Sequence, residues 1–569
     1  MLNYNLMTPY ADSFDKSAPL LEYPRPQFVR NSYLNLNGEW DFTFAKAPDC
    51  KTDCNQKITV PYSPESVLSG IGRAPQKDEY LVYRKTAHFP ADFIKSKTLL
   101  HIGAVDQECE IFVNGISFGS FANGYLPIEC DISNAVKVGD NELCIIVKDS
   151  LSYLYPTGKQ RAKRGGIWYT PVSGIWQTVW AESLPEKHIE SAKITPNFEE
   201  GSVKIEVVGA KDFEAKISFA GEEIFAGNFN SLAEIKIPEP KYWSPEVPNL
   251  YDLTLKSGED EVKSYFALRK FEAKNGRFYL NGKPYFVNGL LDQGYFSDGI
   301  YTPASYDAFK GDILSMKALG FNALRKHIKI EPMAFYHLCD KLGMLVLQDT
   351  VNVGKYSFFK DTILPFAGFK GFKKPPYINV NRKQQESFTE HSKALVKYLY
   401  NCPSVVYYTI FNEGWGQFDG DKLYKILKEE DPTRVYDSTS GWFWQNLSDV
   451  TSYHIYFKPI KLAPSERPII VSEFGGYSHV CKGHEFNTSK TFGYRIYKDL
   501  QEFEDDFVKL YTDEISGNLK NGLAGAIYTQ VSDVEDECNG ILTYDRKVCK
   551  LNAERILPLM QKINETANS

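Results

Sequence analysis

The 569-residue chain predicts a multidomain fold of β plus α/β class. An N-terminal jelly-roll β-sandwich is expected over residues 1–184, an immunoglobulin-like β-sandwich over 185–272, and a C-terminal (β/α)8 TIM barrel over 273–569. Three observations predict this. At about 100–200 residues per domain, the length gives roughly two to four domains. Up to about residue 270 the chain is built from short runs of alternating polarity broken by turn residues. Beyond about residue 280, apolar runs of strand length alternate with runs of helical period.

The first third contains Trp40-Asp-Phe-Thr-Phe, Glu110-Ile-Phe-Val-Asn-Gly and Asn141-Glu-Leu-Cys-Ile-Ile-Val. Asn114-Gly115 is a two-residue hairpin signal, because both residues tolerate positive φ. Short strands at this spacing argue for a sandwich or jelly roll. A boundary falls at Leu184-Pro185, and the all-β pattern then resumes with Ser202-Val-Lys-Ile-Glu-Val-Val and ends near Tyr265-Phe-Ala-Leu-Arg. Eight strands of the barrel are expected at 286–291, 322–325, 344–347, 405–411, 435–437, 450–453, 469–471 and 524–528. Helices are expected at 306–319, 333–342, 384–400 and 421–429, and an aromatic loop over 351–381 follows the third strand.

Composition excludes several classes. Hydrophobic residues make up 43% and charged residues 24%, ordinary for a globular chain. A net charge of −7 disfavours non-specific binding to nucleic acid or to an anionic membrane. No apolar run approaches the ~18 residues of a membrane span. The N-terminus lacks a basic start followed by an apolar core, so a cytoplasmic protein is expected. The ten cysteines are scattered, as suits reduced thiols. Cys50-x3-Cys54 has no matching second pair for zinc, and His479, Cys481 and His484 lack a fixed ligand spacing.

Barrel enzymes place their chemistry at the C-terminal strand ends. Here those ends are polar: Asp292-Gln293, Arg325-Lys326-His327, Gln348-Asp349, Asn412-Glu413, His454-Ile-Tyr456, Ser472-Glu473 and Thr529-Gln530. One Glu after a strand is ordinarily a helix N-terminal residue or a salt-bridge partner. Two, on strands that face each other across the mouth, can approach to about 5–5.5 Å, the spacing that a retaining glycosidase uses. Trp442-Phe443-Trp444 reads as either a sugar platform or rim packing.

Several motifs together resemble family 2 glycoside hydrolases, the group of β-galactosidases, β-glucuronidases and their relatives, along essentially the whole chain. Arg25-Pro-Gln-Phe, Leu36-Asn-Gly-Glu-Trp-Asp-Phe, Val60-Pro-Tyr-Ser-Pro-Glu-Ser, Tyr83-Arg and Gly174-Ile-Trp-Gln-Thr-Val-Trp are similar to that family's sugar-binding jelly roll. Trp243-Ser-Pro-Glu-Val-Pro-Asn-Leu-Tyr resembles the end of its immunoglobulin-like domain, and Leu280-Asn-Gly-Lys-Pro the hairpin that opens its barrel. Asn401-Cys-Pro-Ser-Val-Val-Tyr-Tyr-Thr-Ile-Phe-Asn-Glu413 resembles the acid/base signature, with Cys402 where His is usual and Tyr408 where Trp is usual. Asp340-Lys-Leu-Gly-Met-Leu-Val-Leu resembles the end of a second signature, whose earlier part departs at His327-Ile-Lys-Ile-Glu-Pro. Val471-Ser-Glu473-Phe-Gly-Gly resembles the nucleophile segment.

The resemblance implies a retaining exo-β-glycosidase with a carbohydrate substrate; the alternatives are a transglycosylase that uses the same two glutamates and a non-catalytic carbohydrate-binding protein, which would ordinarily have lost one of them. Glu473 would be the nucleophile and Glu413 the general acid/base, the latter raised in pKa by nearby negative charge. Arg325 and Tyr456 are the candidate donors that keep Glu473 ionised. Asn412 would bind the sugar 2-hydroxyl, and Asp292, His327, His454 and Gln530 other hydroxyls. No cofactor and no metal are implied, because a Gly-rich phosphate loop and a His-Glu-x-x-His helix are both absent. Glucuronide-cleaving members carry an Asn-x-Lys pair after the nucleophile, and Asn487-Thr-Ser-Lys490 has the wrong spacing. That favours a neutral sugar, β-galactoside first and β-glucuronide second, with Lys326 and Lys329 the cations that could serve an acidic sugar. The loop over 351–381 would set aglycone choice or form a contact in a homo-oligomer.

Overall fold

The computed structural model describes residues 2–364 and 380–569. Residues 365–379 of the long loop lie outside the described residues, so the expectations attached to that part find no structural counterpart.

The first unit is a sandwich of two antiparallel sheets. One has six strands, in the order Gln56–Val60, Gly38–Ala45, Tyr80–Phe89, Gly139–Lys148, Glu108–Val113 and Ile116–Ala122. The other has four, Leu34–Asn35, Val179–Leu184, Lys97–Ile102 and Ile128–Asp131. Alternation along Glu108–Val113 puts every second residue in the core, where Cys109, Ile111 and Val113 meet Trp40, Phe42 and Tyr83. Asn114 and Gly115 adopt φ +50° and +79° and join two paired strands, as the hairpin signal required. The second unit is a seven-stranded antiparallel sheet running from Ser191–Asn197 to Asp260–Phe266. It wraps a core of Ile194, Val203, Ile205, Phe213, Ile217 and Leu253.

The barrel sheet has eight parallel strands. In chain order they are β1 (Val287–Asp292), β2 (Ala323–Lys326), β3 (Leu345–Asp349), β4 (Val405–Thr409), β5 (Val435–Asp437), β6 (Thr451–Ile455), β7 (Ile469–Gly475) and β8 (Leu523–Thr529). The ladder runs β5-β4-β3-β2-β1-β8-β7-β6. All eight expected strands are present, to within a few residues. They read as continuous apolar runs because both faces of a parallel sheet are covered. The expected helices are α1 (Asp307–Ala318), α2 (Met333–Leu342), α3 (Arg382–Tyr398) and α4 (Gly420–Glu430). The Asn381 side chain accepts from the Gln384 amide, and the Gln384 side chain from the Asn381 amide, so a capping box starts α3.

Two differences from the sequence reading stand out. Helices α5 (Leu500–Lys509) and α6 (Ala553–Asn568) complete the outer ring without having been read in the sequence. Residues 438–450 and 456–468 connect β5 to β6 and β6 to β7 without helix. Pro459, Pro464 and Pro468 deny the second of these connections the backbone donors and φ range of a helix interior.

The units are joined by packing. Tyr125, Tyr169 and Trp176 of the first sandwich belong to the same core as Leu290, Tyr295 and Tyr301 of the barrel. Trp243 donates from its indole to the Asp340 carbonyl at 2.7 Å. Gly343 ends α2 at φ +75°, and a Cβ there would lie 2.3 Å from the Pro245 carbonyl oxygen, so only glycine allows that close approach. Among the described residues, no helix is long and apolar enough to cross a membrane.

Candidate active site

The site is built from Arg325 outward. Arg325 lies in β2, one residue before its end, and is 1% exposed. Its five N–H groups meet six acceptors, of which His454 Nε2 at 3.5 Å is the most distant. Nε donates to Asp349 Oδ1 at 2.9 Å, and Nη1 to Glu473 Oε1 at 3.1 Å and the Ser472 carbonyl at 3.0 Å. Nη2 donates to Asn412 Oδ1 at 2.8 Å and Ser440 Oγ at 3.1 Å. No N–H remains for a sugar, so Arg325 positions rather than binds. A guanidinium cannot accept, so the Asn412 oxygen must face it and the Asn412 amide nitrogen must face away.

Glu473 lies within β7 and is 5% exposed. The Tyr456 hydroxyl donates to its Oε2 at 2.6 Å, and His454 Nδ1 is 3.5 Å from the same oxygen. Burial by itself raises this carboxyl, but attraction to His454, Arg325 and His327 and the Tyr456 hydrogen bond overcome that and hold it at about 2. Glu473 is therefore a carboxylate throughout the physiological range.

Glu413 stands beyond the end of β4 at φ +55°, in the left-handed region that non-glycine residues rarely occupy. Its amide bonds to the Ser440 carbonyl at 3.1 Å, which fixes this turn against the strand-five connection. Its Oε1 is 2.7 Å from His454 Nδ1. In the neutral ring, His454 Nε2 faces Arg325 Nη1 at 3.5 Å and has to be the acceptor, so Nδ1 carries the proton toward Glu413. Trp442 packs edge-on against His454, with ring centroids 5.5 Å apart. Trp444 instead turns to the rim, where its indole donates to the Ser452 carbonyl at 2.8 Å.

One carboxylate oxygen of Glu413, one of Glu473 and a nitrogen of His454 lie within 4.8 Å of one another. Oxygens this near each other suit the ~5–5.5 Å carboxyl spacing of a retaining pair better than the ~6.5–9.5 Å that leaves room for an inverting water. The same three groups are spaced to hold a small cation. A cation there would fill the gap between the carboxylates that a reacting carbon needs.

His327 Nδ1 is 2.7 Å from Asp349 Oδ2, so Arg325 and His327 share that carboxylate. Asn412, Glu413, Glu473, Arg325, His327, His454 and Tyr456 are thus brought together. Asp292 and Gln530 are not offered to a ligand in the same way. Asp292 Oδ2 takes Lys326 Nζ at 2.6 Å, and Oδ1 takes the Gly294 amide at 2.9 Å. Gln530 accepts from Gln293 at 2.9 Å and donates to Asn539 at 2.8 Å. Lys326 and Lys329 are likewise spent, the first between Asp292 and Glu331, the second on Glu331 and two carbonyls.

Four residues around the mouth escaped the sequence reading. Tyr494 stacks on Tyr456 at 4.0 Å. Glu537 accepts from the Tyr169 hydroxyl and from Asn539 at 2.9 Å. Asp361 is buried in the loop after β3, and burial and the nearby Glu413 push its carboxyl up to about 6. Lys159 comes from the first sandwich. The basic, Gly-flanked stretch Gly158-Lys-Gln-Arg-Ala-Lys-Arg-Gly-Gly was the one sequence signal for it.

Comparison with known proteins identifies the family. The family "Glycosyl hydrolases family 2, TIM barrel domain" matches residues 271–556. "Glycosyl hydrolases family 2" matches 187–269, and "Glycosyl hydrolase 2 galactose-binding domain-like" matches 73–174. A β-galactosidase of Aeromonas hydrophila is 25% identical, over 92% of this chain and 56% of its own. A putative β-glucuronidase of Formosa agariphila is 27% identical, over 81% of this chain and 59% of its own. The chain thus spans about half the length of the curated relatives it matches. Among solved structures, a β-glucuronidase of an uncultured Clostridium shares the fold at TM-score 0.73 and 17% identity, covering 94% of this chain and 99% of that one. A Ruminococcus gnavus β-glucuronidase does so at TM-score 0.74 and 15% identity, covering 97% and 100%. With its catalytic-barrel match extending over half of its length, the chain belongs to family 2 of the glycosyl hydrolases.

Proposed function

We propose that this chain is a retaining β-glycosidase that removes a terminal sugar, with Glu473 as nucleophile and Glu413 as general acid/base. The observation that carries this reading is the pair of glutamates within 4.8 Å, each in a different environment. Glu473 is ringed by donors that keep it ionised, whereas the side chain of Glu413 is 16% exposed and contacts His454. One glutamate is thus equipped to attack and the other to exchange protons with a leaving group and with water.

In the first step a Glu473 oxygen forms a bond to the anomeric carbon while the bond from that carbon to the leaving oxygen breaks. Glu413 gives its proton to that oxygen. In the second step water adds to the same carbon, Glu413 takes the water's proton, and Glu473 departs as carboxylate. Asn412 directs its amide nitrogen away from Arg325, which suits donation to the sugar 2-hydroxyl. Names of relatives do not choose the sugar, because β-galactosidase and putative β-glucuronidase occur side by side.

The test is turnover of chromogenic β-glycosides by wild type and Glu473→Gln. Activity that falls by about 10⁴-fold or more in the variant supports the assignment. A variant that retains near wild-type turnover refutes it.

A further inference from the structure

We propose that Lys159, carried by the first sandwich, is the receptor for a negatively charged group, a carboxylate or a sulfate ester, on the sugar held between Glu413 and Glu473. This rests on the glycosidase reading and names the charge of its substrate.

Residues 157–170 cross from the first sandwich onto the C-terminal face of the barrel and are fastened there. The Thr157 amide donates to the Asn352 carbonyl at 3.1 Å. Gly158, at φ +59°, sits so close that a Cβ would lie 2.9 Å from the Ile328 carbonyl oxygen, just beyond β2. Arg164 bonds Glu535 at 3.2 Å and Asp536 at 2.9 Å, and the Thr170 amide bonds Glu535 at 2.9 Å. Within the segment, the Tyr169 amide donates to the Lys159 carbonyl at 3.0 Å. The backbone around Lys159 is therefore fixed before any ligand arrives.

Lys159 is 9% exposed. Among the described residues, no carboxylate lies within ion-pair distance of its ammonium and no acceptor within hydrogen-bond distance. Its Nζ stands 5.4 Å from the Trp168 ring. Arg161 stacks on the same ring at 3.7 Å, so positive charge at this corner is doubled rather than neutralised. The other buried lysines behave differently: Lys326, Lys329 and Lys550 each pair with a carboxylate. The side chain is largely covered and no protein carboxylate has to be displaced, so an anionic ligand gains an ion pair there.

The segment also stands beside the site: Trp168, which the ammonium approaches, packs edge-on against Trp415 two residues from Glu413, with ring centroids 5.2 Å apart. The ammonium's charge acts on His327 and Glu537, and both of those interact with Glu473. Glu537 makes no ion pair with it, and its oxygens accept from the Tyr169 hydroxyl and from Asn539. A sugar on Glu473 that extends an anion toward His327 and Glu537 would reach Lys159.

The test uses 4-nitrophenyl β-D-galactoside, its uronic acid and its 6-sulfate, and β-D-glucoside with its uronic acid. Wild type, Lys159→Met and Lys159→Arg are compared, with Glu473→Gln as blank. Wild type is expected to favour one anionic substrate over its neutral counterpart, and which one it favours separates carboxylate from sulfate. Lys159→Met should cut that preference by about 30-fold, mainly through KM, while Lys159→Arg keeps part of it. A wild type that prefers neutral sugars, or an equal loss on both members of a pair, overturns the proposal. Neutral turnover that needs Glu473 but ignores Lys159 overturns it while leaving the glycosidase reading in place. If no glycoside is cleaved, binding of glucuronate, galacturonate and galactose 6-sulfate is titrated directly. Binding weakened about tenfold or more in Lys159→Met supports the receptor alone, and absence of binding overturns it.

Discussion

Replacing Tyr456 by Phe isolates a single hydrogen bond at the proposed nucleophile. The ring stacks on Tyr494 at 4.0 Å with 7° between planes, and phenylalanine keeps that contact. The hydroxyl donates to Glu473 Oε2 at 2.6 Å and lies 3.0 Å from Thr529 Oγ1. A hydrogen bond to an ionised group contributes about 1.5–3 kcal/mol, which at about 1.4 kcal/mol per unit is roughly one to two pKa units. Glu473, held at about 2, should therefore rise to about 3–4 in Tyr456→Phe. Because the folded value lies below the ordinary 4.5, Glu473 contributes stability above that pH and loses it as pH falls through about 2. In the variant that loss begins at a correspondingly higher pH. The assay is kcat/KM for an activated glycoside from pH 3 to 9. Wild type should show no Glu473-limited fall above about pH 3, and the variant should show one near pH 3–4. The variant's deficit should then be larger at pH 3 than at pH 7. A wild-type acid limb near 4.5 that Tyr456→Phe leaves in place would refute the reasoning.

Two further outcomes are expected. Glu413→Ala should slow an alkyl glycoside by about 10²–10⁴-fold more than a dinitrophenyl glycoside, because the latter needs little protonation to leave; equal losses would remove Glu413 from the acid role. His391, on α3, is buried with both ring nitrogens unpartnered, and burial drives it down to about 3. A base depressed from 6.5 leaves full stability above that pH and costs stability below it, about 2 kcal/mol at pH 5. The gap in melting temperature between pH 8 and pH 5 should therefore narrow by a few degrees in His391→Leu, and an unchanged gap counts against this account.

Legibility in the sequence followed the range of the interactions. Val405-Val-Tyr-Tyr-Thr reads as a buried parallel strand because its neighbours on both faces are fixed by the barrel itself. The polar residues at the strand ends were visible for the same reason. Helix α6 escaped because Pro558 interrupts an otherwise amphipathic run. Asp292 shows what strand position cannot tell. It stands at the end of β1 as expected, but the register of β1 with β2 sets Lys326 directly beside it. Whether an acid at a strand end faces substrate or a neighbouring lysine depends on that pairing, which no single run reveals. Lys159 was less legible still, since it precedes the first barrel strand by a whole domain and carries no periodic signal.

These commitments determine where sugar recognition can reside. Around the inner wall, Arg325 is saturated, Lys326 and Asp292 hold each other, Gln348 is bonded by Tyr336 and donates to two carbonyls, and Gln530 is held by Gln293 and Asn539. Each is a buried polar group whose release would leave a partner unpaired, so substrate is a poor competitor for it. The wall thus fixes the two glutamates and leaves little to distinguish one sugar from another. What remains are His454 near the end of β6 and groups on connections above the strands: Asn412 and Tyr456 beside it, Trp442 and Asp361 on one side, and Tyr494, Glu537 and Lys159 on the other. Of these, Lys159 alone lies outside the barrel chain, on a sandwich that can vary without disturbing the catalytic wall. Substituting Lys159 should therefore change which sugar is accepted, whereas substituting Arg325 should change whether any sugar reacts.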